Sequence, residues 1–297
     1  MVQSVRTAIF PVAGMGTRFL PATKAVPKEL LPVIDTPLID FAIQEARAAG
    51  IERLIFVSHS SKNAIERHVM DDAALRAQLV EKGKTDVAAE LADKALTDRD
   101  HDVIFTFQDK PLGLGHAVAC ARDHVLPGPV AVILPDDLIL GQKGCLSEMI
   151  AAYEEKAIGH LVATMQVKPE ETSSYGILRV TEQVGRFFHA DAMVEKPDPA
   201  DAPSRQAVVG RYILDASIFD ALATQEPGAG GEIQLTDAIA RGAAEVGLGG
   251  FQFSGTRFDC GSKKGVLSAS LFLARQRPEF DCVFDELAEF DRLSTAA

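Results

Sequence analysis

The chain has 297 residues, 47% of them hydrophobic, which suits one large or two ordinary domains around a sizeable core. Its net charge of −12 argues against a nucleic-acid binder, and no apolar run approaches the length of a membrane span. Four scattered cysteines (Cys120, Cys145, Cys260, Cys282) form no Cys-x-x-Cys pair and the N-terminus lacks a signal-peptide pattern, so the expected setting is a reducing cytoplasm without a zinc site or disulfide framework.

Thr7 to Val12 is a short apolar run that predicts a buried strand. Gly14 and Gly16 then allow a tight turn whose peptide N–H groups can face phosphate oxygens. Arg18 and Lys28 add cations, a pattern that suits a nucleoside triphosphate. A Rossmann fingerprint would need a small residue where Phe19 stands, and no Walker Gly-Lys-Ser/Thr is present. An acidic chain must draw in an anion through local cations, with Arg18, Lys24, Lys28, Lys196, Lys263 and Lys264 as candidates.

Pro37 to Ala49 carries a helical apolar stripe ended by Gly50. Arg53 to Val57 reads as a strand and Asn63 to Met70 as a short helix, so the alternation predicts a mostly parallel sheet with helices on its faces. Asp71 to Arg99 predicts two amphipathic helices, an inserted hairpin over 71–100 whose charges form a solvated face or an oligomer contact. Val103 to Phe107 is a strand ending at Gln108, and Gly113 and Gly115 precede an Ala-rich helix. His116 reads as a packed histidine at that helix start, although it could be catalytic in principle.

Val130 to Leu134 is the best central-strand candidate, and it ends in Pro135-Asp136-Asp137. Carboxylates at such a strand end suit either Mg²⁺ beside a triphosphate or a turn and helix cap. Gly144 to Glu155 predicts a helix, and Leu161 to Val167 and Val208 to Leu214 predict strands, the second half being more antiparallel. Beyond Lys264 the chain (264–297) becomes a helical tail. Its stripe of Phe280, Val283, Phe284, Leu287 and Phe290 is expected to pack on its own domain, with a subunit contact as the alternative. No repeat or linker interrupts the chain, so residues 1–297 are read as a single domain.

Gly-x-Gly-Thr-Arg followed by Pro27-Lys28 resembles the signature of sugar-1-phosphate nucleotidylyltransferases. The stretch Pro11 to Val33 is similar to the bacterial UTP–glucose-1-phosphate uridylyltransferases. The later order of Tyr175-Gly176, Glu195-Lys196-Pro197, Gly231 to Asp237 and Asp259-Cys260-Gly261 extends the resemblance to about Arg275. The one departure in the first loop is Met15, where Leu is common.

The resemblance implies an α/β, Rossmann-like nucleotidyltransferase fold with a mixed central β-sheet flanked by helices. It implies Mg²⁺-dependent, in-line attack of glucose 1-phosphate on the α-phosphorus of UTP, giving UDP-glucose and pyrophosphate. Arg18, Lys28 and Lys196 would be the catalytic cations, with Lys196 on the sugar phosphate. Ala13, Gly14, Gly16 and Thr17 would cradle the nucleotide, and Gln108 and Gly113 would read uracil. Gly176 and Glu195 would hold sugar hydroxyls, with Gly210 and Asp137 also on the substrate. Asp136 and Asp259 would hold the metal, although the adjacency of Asp137 leaves open which of the pair touches it. Gln234 and Asp237 would pack or cap. A homo-oligomer (dimer or tetramer) is expected. A thymidylyltransferase and a non-catalytic nucleotide-sugar sensor are the alternatives.

Overall fold

The computed structural model describes residues 4–97, 102–156, 158–226, 228 and 231–295. Its frame is a nine-stranded mixed sheet: β1 (Thr7–Pro11), β2 (Arg53–Ser58), β3 (Asp102–Phe107), β4 (Val130–Ile133), β5 (His160–Gln166), β6 (Gly176–Val184), β7 (Phe187–Glu195), β8 (Gln206–Leu214) and β9 (Leu248–Gln252). The spatial order is β3-β2-β1-β4-β8-β5-β9-β7-β6. The first four are parallel, as the strand and helix alternation predicts. From β8 onward the pairing is antiparallel except for β5 with β9.

The continuous apolar runs follow from double-sided burial. Residues 8–10 of β1 and all of β4 are buried, because helices cover both faces. On one face the register places Phe10 beside Phe56 and Phe56 beside Phe105, and their rings stack 4.8 and 5.2 Å apart. Helix Leu38–Ala48 buries Leu38, Ile39, Ala42 and Ala46 of the stripe legible in the sequence, and adds Ile43 to it. Four parallel carboxyl ends therefore meet at one edge of the sheet, where ligands of open α/β sheets bind.

The expected hairpin is present as helices Ala73–Glu81 and Thr85–Lys94. The first buries no residue and the second only Ala88, so the charged faces of the hairpin are exposed on the single chain. Its last expected residues, 98–100, lie outside the described residues. Strand Asp137–Leu140 pairs antiparallel with Thr256–Asp259 away from the main sheet, setting Asp137 opposite Asp259. One expectation fails at the tail: on helix Asp281–Thr295, Val283 and Leu287 are exposed rather than packed on their own domain. The Phe290 side chain lies outside the described residues.

Candidate active site

Val12, Gln108 and Asp136 stand just beyond three of the parallel strands. The Val12 N–H donates to Val57 O at 2.8 Å, so β1 continues straight into the glycine loop. The Gln108 N–H donates to Ser58 O at 2.7 Å and holds Gln108 at the end of β3. Gly113 has φ 95°, a backbone few side chains adopt, and a Cβ there would meet Glu232 Cβ at 2.8 Å. Leu112 O and the Gly115 N–H clamp Ile233 at 2.7 and 2.8 Å, which seats residues 112–115 on the segment before helix Leu235–Val246.

Two adjoining clefts result. One, of about 450 Å³, is lined by Ala13, Gly14, Lys28, Gln108, Gly113 and Asp136 among others. The second, of about 430 Å³, is lined by Arg18, Asp137, Gly176, Glu195, Lys196, Gly210 and Asp259 among others. Leu114 and Leu134 line both, so the clefts meet along that apolar strip. Residues expected on the nucleotide line the first cleft and residues expected on the sugar line the second, called the nucleotide-side and sugar-side clefts after those expectations, with three differences. Gly16 and Thr17 line neither cleft; Thr17 faces a neighbouring depression with Lys24. Arg18 lies in the sugar-side cleft, its Nη1 donating to Gly261 O at 3.4 Å. Lys263 and Lys264 line neither, because they begin helix Lys263–Ala274.

Asp136 and Asp137 have opposite fates. Asp137 is buried, its Oδ2 accepting from the Gly210 N–H at 2.6 Å and its Oδ1 from Arg257 Nε. A Cβ on Gly210 would lie 2.7 Å from Asp137 Cβ, so only glycine allows this approach. Burial works against the Arg257 charge, but the Asp137 carboxylate outweighs it and holds the guanidinium above its ordinary value. Asp136 instead faces the glycine loop, where its Oδ2 accepts from Lys28 Nζ. Burial opposes both charges of that pair, yet each holds the other ionised: Lys28 lies above and Asp136 below its ordinary pKa.

Asp136 and Asp259 converge. The point where Gly261 would carry a Cβ lies 3.0 Å from Asp259 Oδ1, 3.2 Å from Asp136 Oδ2 and 3.6 Å from Arg18 Nη1. Two carboxylates on one small space fit Mg²⁺, which takes one or two of them with substrate phosphates and waters. Among the described residues no third His, Cys, Asp or Glu joins them, so the remaining ligands would be substrate oxygens and water.

On the sugar side, Glu195 ends β7 and accepts from Thr236 Oγ1 at 2.7 Å. Gly176 leaves the same Glu195 Oε2 within 3.3 Å of its absent Cβ. Lys196 has φ 45°, an uncommon conformation for a side-chain residue, and brings its Nζ within 3.2 Å of Glu195 Oε1. Gln234 and Asp237 flank this region at the helix start, Gln234 as its N-cap.

Sequence reasoning missed the supports. Lys62 Nζ donates to Val12 O at 2.8 Å, to Gly14 O, and to the buried Glu29 Oε2 at 3.3 Å, holding the glycine loop from behind. Burial pushes the Glu29 carboxyl up and the Lys62 ammonium down. Beneath the Asp136 turn, buried Arg211 pairs with Glu45 at 2.8 Å and donates to Leu134 O, Asp137 O and Gly210 O at 2.9–3.0 Å. Arg211, Arg257 and Thr236 lie within two residues of flagged positions in the sequence, but nothing local marked Lys62.

A glycine loop, paired cations and converging carboxylates at the carboxyl edge of a mixed sheet define a nucleotidyltransferase-type site. The nucleotidyl transferase family model matches residues 8–276, and the chain belongs to that family. Within it, the chain is 43% identical over 290 residues to a UTP–glucose-1-phosphate uridylyltransferase of Bacillus subtilis, covering 97% of each protein. It is likewise 43% identical to one from Komagataeibacter xylinus, covering 89% of this chain and 92% of that one. Among solved structures, a UDP-glucose pyrophosphorylase complexed with UDP-glucose matches with TM-score 0.83 and 35% identity, over 92% of this chain and 100% of that one. A UTP-bound enzyme of the same type from Acinetobacter baumannii matches with TM-score 0.86 and 38% identity, over 96% and 98%.

Proposed function

We propose that the protein is a UTP–glucose-1-phosphate uridylyltransferase, making UDP-glucose and pyrophosphate from UTP and glucose 1-phosphate. The observation that carries this reading is the pair of clefts meeting at Leu114 and Leu134, one with Gln108 and Lys28, the other with Glu195 and Lys196. The relatives above bear names for this activity and cover nearly the whole chain.

A phosphate oxygen of glucose 1-phosphate attacks the α-phosphorus of UTP in line, and the bond to the β-phosphate bridging oxygen breaks. The attacking oxygen is already ionised at neutral pH, so no Ser, Cys or His nucleophile is required. Catalysis is positioning and charge neutralisation. Gln108 and Gly113 hold uracil, and Ala13 and Gly14 the nucleotide backbone. Lys28 offsets charge on the leaving pyrophosphate. Glu195 and Gly176 orient the sugar, and Lys196 holds its phosphate. Asp136 and Asp259 would hold Mg²⁺, which supplies charge neutralisation across the phosphates when bound. Arg18, which lines the sugar-side cleft with Asp259, meets phosphate charge where the two substrates join.

No helix among the described residues is long and apolar enough to cross a membrane. A homo-oligomer is supported by the exposed Val283 and Leu287 of the last helix, and sedimentation at two concentrations reads it. The test of function is pyrophosphate release over a grid of nucleoside triphosphates and sugar 1-phosphates with Mg²⁺. UTP with glucose 1-phosphate should be the best pair. A preference for dTTP would favour a thymidylyltransferase, and no release with any pair would leave a nucleotide-sugar sensor.

A further inference from the structure

We propose that His116 sets which pyrimidine the nucleotide cleft accepts, by taking the second hydrogen of the Gln108 side-chain amide and so leaving only the amide oxygen to the cleft. The proposal rests on the UTP reading above and adds a positioning residue to it. Gln108 Nε2 lies 2.9 Å from Gly113 O. A carbonyl only accepts, so the NH₂ end of the amide must face it; the reversed amide would set oxygen against oxygen. The same Nε2 lies 3.0 Å from His116 Nδ1. An NH₂ group has two hydrogens: one goes to the Gly113 carbonyl, and the other can be received only by a bare ring nitrogen. His116 Nδ1 is therefore the acceptor in this contact, with the ring hydrogen on Nε2.

With both amide hydrogens taken, Gln108 offers the cleft its Oε1 alone. No described hydrogen bond uses that oxygen, while Gln108 lines the nucleotide-side cleft. Uracil presents an N3–H donor to such an acceptor. Cytosine presents a bare N3 and would meet it lone pair to lone pair. Thymine has the same N3–H edge as uracil, so this device sorts uracil and thymine from cytosine but not from each other. A site built around a polar contact rejects the analogue that cannot make it far more strongly than an apolar pocket would.

The test compares kcat/KM for UTP and CTP at saturating glucose 1-phosphate. His116→Leu removes the acceptor and frees the second amide hydrogen to turn into the cleft, where the bare N3 of cytosine can take it, so the UTP-to-CTP ratio should fall by about 10-fold or more. His116→Asn returns an acceptor oxygen near the place of Nδ1, and should keep the ratio within about 3-fold of wild type. The KM for glucose 1-phosphate should stay unchanged in both, which a general loosening of the fold would not allow. A folded His116→Leu protein with the wild-type ratio overturns the proposal. Should His116→Leu fail to fold, nitrogen-15 spectra of histidine-labelled wild-type protein decide, with the His116 signals assigned by their loss in His116→Asn. A bare Nδ1 is expected, and a ring protonated at Nδ1 overturns the proposal. Wild-type protein that releases no pyrophosphate from UTP contradicts the functional reading instead, and the tautomer still reports on the amide geometry.

Discussion

Glu45→Ala should cost both stability and turnover, because it strips the counter-charge from the brace beneath the Asp136 turn. The Arg211 guanidinium is 1% exposed, and three of its contacts go to Glu45 at 2.8–3.2 Å. Leaving such a charge buried and unpaired costs about 3–5 kcal/mol. The Leu146 N–H also loses Glu45 as its acceptor at 2.9 Å, near the start of helix Cys145–Lys156. That adds about 1 kcal/mol. At roughly 2–4 °C per kcal/mol, the midpoint of thermal unfolding should drop by about 8–24 °C. Urea unfolding of wild type and variant at one pH measures the change. The double variant Glu45→Leu with Arg211→Met removes both charges and should recover most of the stability. It does not restore the donors to Leu134 O, Asp137 O and Gly210 O, so turnover should remain about 10-fold or more below wild type. A Glu45→Ala protein with the wild-type urea midpoint, or full turnover in the double variant, would refute the brace.

Lys28→Ala should lower kcat by about 10²-fold or more, whereas Lys196→Ala should act mainly on the KM for glucose 1-phosphate. Steady-state kinetics with each substrate varied in turn separates the two, and near-full turnover in Lys28→Ala would remove it from the triphosphate. Asp136→Asn should keep its fold and lose most activity, with partial recovery at high Mg²⁺ or Mn²⁺. Asp137→Asn should instead lower the unfolding midpoint, through lost pairing with Arg257, and show no such metal rescue. His160 is buried, and burial lowers its pKa from 6.5 to about 4. The unfolded chain therefore binds the proton first as pH falls, so stability is full above about pH 6.5 and is lost towards about pH 4. That difference amounts to about 3 kcal/mol at most. Unfolding midpoints between those pH values should flatten in His160→Asn, and an unchanged slope would sink the assignment.

Much of the site was legible because its residues stand in short local patterns at strand ends. Gly14, Gln108 and Asp136 each follow an apolar run, and the parallel half of the sheet brings those ends to one edge. The split between Asp136 and Asp137 was not legible, since it depends on Gly210 and Arg257 arriving from distant strands. Lys62 was hidden for the same reason: its contacts with Val12 and Gly14 span 50 and 48 residues. The exposure of Val283 and Leu287 could not be read from periodicity, which marks an apolar face but not what covers it.

Direct transfer between two bound substrates is most directly tested by the stereochemistry at the α-phosphorus. One diastereomer of UTP bearing sulfur on that phosphorus would be incubated with glucose 1-phosphate and Mg²⁺, and the configuration of the thio-substituted UDP-glucose determined. A single in-line displacement gives inversion, which is the predicted result. Retention would require a covalent uridylyl intermediate on the protein and would contradict a mechanism made of positioning and charge alone.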